Sequence, residues 1–119
     1  MIRAYKLDTG ADGHSHVTKG FVSESLLTEV VSLRFMETPP HSFYDWHTAP
    51  ICQYVISLSG TLQFTTGLNE VFILKPGEIL IAMDTTGFGH KWQLIDDEPW
   101  KRAYVVFKEN TPINFTPDI

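Results

Sequence analysis

Two stretches decide the fold: residues 46–60, WHTAPICQYVISLSG, and residues 77–92, GEILIAMDTTGFGHKW. Each contains a strand-like apolar run with one well-placed polar group, and one β-hairpin joins the two. Together they contribute the only convergent set of candidate ligands or acid/base groups in the sequence. We predict that His47, Gln53 and His90 line one cavity inside a small β-barrel.

Further strand-like segments lie on both sides of these stretches and are separated by glycine, proline, aspartate and asparagine. They are about five to seven residues long and recur every eight to twelve residues or so, which is typical of a β-sandwich or barrel. The predicted strands are residues 4–7, 16–22, 41–48, 53–59, 61–66, 70–74, 79–83, 90–95 and 100–107.

One segment, residues 23–36 (SESLLTEVVSLRFM), allows two interpretations. Apolar residues at 27, 30 and 31 have helical spacing, whereas Val31, Leu33 and Phe35 alternate with polar neighbours as in a strand. We predict a strand, which Pro39 and Pro40 bring to an end because proline lacks a ladder donor.

The chain has 119 residues, of which 43% are hydrophobic and 19% charged, as in an ordinary globular protein. This length is enough for one hydrophobic core without disulfides or metals. We therefore predict a single domain over residues 1–119, with N-terminal strands in 1–27, a barrel in 28–108 and an extended tail in 109–119.

The charge balance is acidic, with 9 Lys and Arg against 14 Asp and Glu and a formal net charge of −5. Proteins that bind nucleic acid or anionic membranes need a basic face to pair with phosphates. The basic residues are scattered singly apart from the Lys101–Arg102 pair. These observations exclude nucleic acid and membrane as the main partners.

The first residues, MIRAYKLDTG, lack the apolar core and cleavage site of a signal peptide. Cys52 is the only cysteine, so an intrachain disulfide is excluded, as expected in a reducing compartment. No apolar run approaches the length of a membrane span. We expect a cytoplasmic protein.

The spacing of residues 47–60 resembles the first motif of the cupins, which are small double-stranded β-helix (jelly-roll) proteins. That motif has His-x-His, then three or four residues, Glu, six residues and Gly. Here His47, Gln53 and Gly60 keep the spacing, but Ala49 replaces the second histidine and Gln53 replaces the glutamate.

The second cupin motif begins with Pro-Gly-Asp or Pro-Gly-Glu and ends with Gly, two residues and His. Pro76-Gly77-Glu78 and Gly87-Phe88-Gly89-His90 match both ends, although the middle is two residues longer. The chain is similar to small single-domain bacterial cupins with a degenerate metal-binding motif. The resemblance implies an all-β jelly-roll barrel but no particular function, because cupins include enzymes, sugar binders, sensors and storage proteins.

Cupin metal sites combine several imidazoles with a carboxylate, which suit Fe, Mn, Ni, Cu or Zn. The candidate ligands here are His47, Gln53 and His90, and Asp45 is a further candidate because it lies two residues before His47. A glutamine brings no negative charge, and Ala49 brings no ligand. The resemblance thus implies an incomplete metal shell, which leaves a bound divalent transition metal as one alternative.

Strand alternation predicts which other side chains share the cavity. Gln53 and Val55 share one face of their strand, Trp92 shares a face with His90, and Phe43 shares a face with His47. We therefore expect Gln53, Val55, Trp92 and Phe43 to contact a ligand. His47 and His90 are the candidate catalytic residues, since an imidazole titrates near neutral pH.

Two structural consequences remain open at this point. Asp84 either bonds the backbone of its own turn or orients His90. If the cavity residues face inward, Tyr54, Ile56 and Leu58 face outward, and three such side chains do not stay exposed. We expect the N-terminal strands or a second subunit to cover them, and a homodimer is the economical solution.

The function that follows is binding or conversion of a small organic molecule in the barrel cavity. Without a metal, His47 and His90 would form a general acid/base pair and Gln53 would orient the substrate. Two alternatives stay open: a metal-dependent oxygenase or isomerase, and a non-catalytic sensor or ligand-binding module.

Overall fold

The computed structural model describes residues 1–119, which form eleven β-strands and no helix. The strands are β1 (Ile2–Thr9), β2 (Ser15–Val22), β3 (Val30–Thr38), β4 (Phe43–His47), β5 (Gln53–Ser57), β6 (Leu62–Thr66), β7 (Val71–Leu74), β8 (Ile79–Ala82), β9 (His90–Leu94), β10 (Trp100–Phe107) and β11 (Thr116–Pro117). The predicted all-β class is therefore confirmed. No segment has the helical length and apolar content needed to cross a bilayer.

The strands form two sheets that enclose the core. The larger has the order β11-β2-β1-β8-β5-β10-β3, and the smaller has the order β4-β9-β6-β7. Large apolar side chains from both sheets meet between them, where the rings of Trp92 and Trp100 lie 5.0 Å apart and those of Phe64 and Phe72 stack at 5.0 Å. Aromatic pairs at these distances add to the burial of apolar area.

The ambiguous segment 23–36 is extended in its second half, where β3 runs antiparallel to β10 at the edge of the larger sheet. Its orientation differs from the simplest expectation for an apolar strand. Arg34 and Met36 face the space between the sheets, and Leu33 and Phe35 point outward with 58% and 68% of their surface exposed.

Within one chain, the outward face of β5 is only partly covered, and the N-terminal strands do not lie across it. The N-terminal strands extend the sheet edge to edge, because β1 pairs in parallel with β8. The C-terminal tail instead covers one end of the face, where Ile113 and Phe115 pack near Tyr54. The Tyr54 hydroxyl accepts a hydrogen bond from the Asn114 backbone at 2.8 Å. Leu58, at the other end, remains 54% exposed.

Candidate functional site

A cavity of about 300 Å³ lies between the two sheets, and most of the residues that line it are hydrophobic. Among the predicted site residues, His47, Gln53, His90, Val55 and Trp92 all lie on its wall. The last four are nearly inaccessible, with 2–9% of their surface exposed. The structure therefore brings the two histidines and the glutamine together as the sequence predicted.

The two imidazoles are in contact. β4 and β9 are antiparallel neighbours with His47 opposite His90, and their ring centroids are 4.5 Å apart in an edge-to-face arrangement. Gly89 makes this approach possible: it has a φ of 76°, and a Cβ at this position would overlap the backbone carbonyl of His47. Only glycine adopts this conformation without strain.

Each imidazole is held through its Nδ1 atom by an acceptor outside the cavity. His47 Nδ1 lies 2.7 Å from the Asp45 carbonyl oxygen, and His90 Nδ1 lies 2.5 Å from Asp84 Oδ2. A carbonyl and a carboxylate can only accept, so each Nδ1 carries the proton. In the neutral rings, Nε2 is therefore the nitrogen that offers a lone pair to a molecule in the cavity.

Asp84 orients His90 from a fully buried position. Its Oδ2 also accepts a hydrogen bond from the Ser15 hydroxyl at 2.6 Å, and neither Asp84 nor Ser15 has exposed surface. The other oxygen, Oδ1, has no protein partner. Ser15, Asp84 and His90 thus form one buried hydrogen-bonded chain that fixes the ring and its tautomer. Nothing in the sequence identified Ser15, which is a single serine after a glycine-containing loop.

Two predicted site residues lie outside the cavity. Phe43 is 75% exposed, and with Asp45 it lines a separate groove on the smaller sheet. The cause is a β-bulge: two residues lie between Tyr44 and His47, whereas one lies between their partners on β9. The extra residue reverses the alternation, so Tyr44 rather than Phe43 faces the cavity, 4.0 Å from the His47 ring.

Asp45 is therefore not a ligand in the same cavity as the histidines. Its side chain accepts a hydrogen bond from the Trp46 backbone at 2.9 Å, and only its backbone carbonyl contacts His47. The prediction that Asp45 could complete a metal shell is wrong for this geometric reason.

The donors that remain do not fit a cupin metal centre. The cavity offers His47 Nε2, His90 Nε2 and the neutral amide of Gln53, and the chain has no group of three His, Cys, Asp or Glu side chains placed to hold a metal ion. Asp84 already accepts from His90 Nδ1, and Ala49 lines the cavity with a methyl group only. No carboxylate is left to offset a divalent cation.

The cavity wall also includes two cations that are not among the predicted site residues, Arg34 and Arg102. Arg102 is 4% exposed, and its guanidinium lies 4.0 Å from the Trp100 ring centroid. A detectable signal was present: Arg102 shares strand parity with the aromatic residues Trp100 and Tyr104. A cation between two aromatic residues on one face of a strand indicates a stacked guanidinium.

The environment of His47 leads to a first prediction. Burial lowers the pKa of His47 below its ordinary value of 6.5, whereas a hydrogen bond to Asp12 raises the pKa of the partly exposed His16 above it. Protonation of His47 is therefore less favourable in the folded than in the unfolded protein. As a result, the contribution of His47 to the free energy of unfolding is fully present above pH 6.5 and is lost as the pH falls below that value. In an NMR titration of the Cε1–H signals, His47 should have its midpoint below 6.5 and His16 above. A midpoint for His47 at or above that of His16 would contradict this account.

Two solved structures resemble the chain over most of its length. An uncharacterized conserved protein with a double-stranded β-helix domain from Klebsiella pneumoniae subsp. pneumoniae MGH 78578 is 23% identical, with a TM-score of 0.52, over 83% of this chain and 85% of that one. A protein assigned as ethanolamine utilization protein Q from Salmonella typhimurium LT2 is 16% identical, with a TM-score of 0.50, over 92% of this chain and 98% of that one.

At these identities the likeness establishes the fold alone. The chain has the double-stranded β-helix fold, and the predicted jelly-roll barrel is confirmed. No protein-family model matches the sequence, and no curated protein shows significant similarity to it.

Proposed function

We propose that this cupin-fold protein binds and converts a small organic molecule in the barrel cavity, with His47 and His90 as a general acid/base pair. One observation carries the proposal: two touching imidazoles line the cavity, and each has its Nδ1 engaged elsewhere. Proton transfer requires such a nitrogen within hydrogen-bond reach of the reacting group.

The two rings have different surroundings, which suggests different roles. Burial lowers the pKa of His47, so this ring is neutral at pH 7 and suited to accept a proton. His90 bonds to the Asp84 carboxylate, whose negative charge balances the charge on the ring when it holds both protons. In this scheme His47 is the base and His90 the acid. Gln53, whose amide lies on the same wall, orients the substrate.

The conversion proceeds without a catalytic metal in this proposal, because the donor set is short of a carboxylate. The aromatic and aliphatic wall formed by Phe64, Leu80 and Trp92 excludes water and fits an apolar part of the substrate. Exclusion of water strengthens the polar interactions at the reacting group.

A fragment screen with two readouts tests this function. A compound held in the cavity should shift the Cε1–H signals of His47 and His90 and leave that of the exposed His41 unchanged. Such a compound, or a close analogue, should be converted by the wild type, and His90→Gln should abolish conversion while the fold and binding persist. Binding without conversion would overturn the catalytic part and favour the sensor or binding-module alternative.

We also propose that the protein is a homodimer joined through β3. This edge strand has unpaired backbone groups on its outer side, and Val31, Leu33 and Phe35 are exposed on it. Phe35 lines a surface groove together with Leu58 of the outward face of β5. A long apolar edge strand favours association. A second copy fits because antiparallel pairing of β3 with itself is self-complementary.

The dimer is tested by the mass in solution. We expect twice the chain mass of 13.5 kDa, and we expect Phe35→Lys to give a folded monomer because it buries a charge in the contact. Phe43→Lys is the matched control: Phe43 is 75% exposed but lies on the other sheet, so this variant should remain dimeric. A monomeric wild type, or dissociation of both variants alike, would argue against the β3 contact.

A further inference from the structure

We infer that the molecule held in the cavity is an organic anion, whose charged group binds the guanidinium of Arg102. The inference rests on the proposed function and specifies its substrate class. Arg102 lies on the cavity wall with 4% of its surface exposed. None of the chain's ion pairs includes it.

The guanidinium is fixed by neutral groups only. Its Nε donates to the Tyr104 hydroxyl at 3.1 Å, and its Nη1 donates to Thr38 Oγ1 at 2.5 Å and to the Trp100 carbonyl at 3.0 Å. Nη2 has no protein acceptor. Arginine is permanently charged, and a buried charge without a counter-charge is costly. A rigid guanidinium with a free donor beside a cavity is therefore suited to bind an anion.

The charge balance of the cavity also favours an anionic ligand. Arg34 is the second cation on the wall, with its guanidinium 5.0 Å from the Tyr104 ring centroid, and no Asp or Glu lines the cavity. The buried carboxylate of Asp84 is directed at Ser15 and His90. A positive cavity inside a protein of net charge −5 selects anions locally although the whole molecule repels them.

The register indicates how far Arg102 lies from Gln53, which shares the cavity wall with the two imidazoles. Arg102 is opposite Ser57 on β5, four residues from Gln53, which corresponds to about 13 Å along the strand at about 3.3 Å per residue. Val55 and Tyr104 are paired between these two positions, and both line the cavity. The ligand expected from this layout has an anionic head at Arg102 and an apolar body reaching toward the acid/base pair.

Two probes that differ mainly in their charge test whether the ligand is an anion. 3-Phenylpropionate and 3-phenylpropionamide have nearly the same shape and differ in the negative charge. We expect the acid to bind at least about tenfold more tightly, which corresponds to about 1.4 kcal/mol, and to shift the NMR signal of the Arg102 Nε–H in the wild type. Phenyl phosphate distinguishes the kind of anion: tighter binding than the carboxylate would assign the site to phosphate esters, still in support of an anionic ligand.

Arg34→Gln provides the variant test, because Arg34 lies on an exposed edge strand where substitution leaves the fold intact. It should weaken binding of the acid several-fold and leave binding of the amide unchanged. Because the Arg102 Nε–H signal is measured in the wild type, the test needs no Arg102 variant and is unaffected by any loss of folding in such a variant.

Two results would overturn the inference. One is an amide that binds as tightly as the acid; if it still shifts His47 and His90, the proposed function survives and only the anionic class fails. The other is an acid that leaves the Arg102 signal unmoved.

Discussion

Gly89→Ala is expected to destabilise the protein by at least about 3 kcal/mol and to separate the two histidines. Gly89 has a left-handed backbone conformation, with a φ of 76°, and the added methyl group would overlap the His47 carbonyl. Since His47 lies opposite His90 in the β4–β9 pair, the clash pushes apart the strands that hold the acid/base pair. Denaturant unfolding measures the loss, and the NMR signals of the two imidazoles report the separation.

Gly77→Ala is the matched control for this effect. Gly77 has nearly the same conformation, with a φ of 84°, but a Cβ there would have no neighbour within 4 Å. The free energy of unfolding of this variant should fall only by the backbone cost of a left-handed residue, about 1–2 kcal/mol. Both imidazole signals should stay in place. Equal losses in the two variants would show that the close approach of Gly89 to His47 is not what holds the site.

Asp84→Ala is expected to have the second large effect. The substitution removes the acceptor of both the Ser15 hydroxyl and the His90 Nδ1–H. Each buried group left without a partner costs about 1–3 kcal/mol, so we expect a loss of at least about 2 kcal/mol in the free energy of unfolding. The His90 ring should also lose its fixed tautomer, which 15N chemical shifts of the imidazole detect.

The control for Asp84 is an aspartate–histidine pair at the surface. Asp97 lies 2.8 Å from His41, with 94% and 67% of the two side chains exposed. Water and salt screen such a pair, which therefore contributes little. Asp97→Ala should leave stability nearly unchanged, and an Asp84→Ala variant that is equally stable would refute the structural role of the buried chain.

Much of the fold could be predicted because turn residues and alternating apolar and polar residues are visible in the sequence. Strands β5 and β6 were predicted to start within one residue of their observed positions, and Gly60 separates them as expected. The orientation of β3 could not be predicted, because its apolar residues indicate a buried face whereas Leu33 and Phe35 point outward. An edge strand that is exposed on its outer face violates the usual relation between hydrophobicity and burial.

The candidate site was predicted in part. Spacing brought His47, Gln53 and His90 together because the two motifs lie on neighbouring strands and loops of one barrel. Phe43 was misplaced because a β-bulge adds one residue without any sequence signal and reverses the alternation before His47. Strand parity alone assumes regular pairing, so it fails wherever a bulge intervenes.

The central claim is that His47 and His90 act as an acid/base pair without a catalytic metal. The metal-to-protein ratio of the purified, tag-free protein tests it most directly, measured for the wild type and for His47→Ala and His90→Ala. We predict far less than one transition-metal ion per chain in all three proteins. About one ion per chain in the wild type, lost in both variants, would contradict the claim and establish a metal centre built on these two histidines.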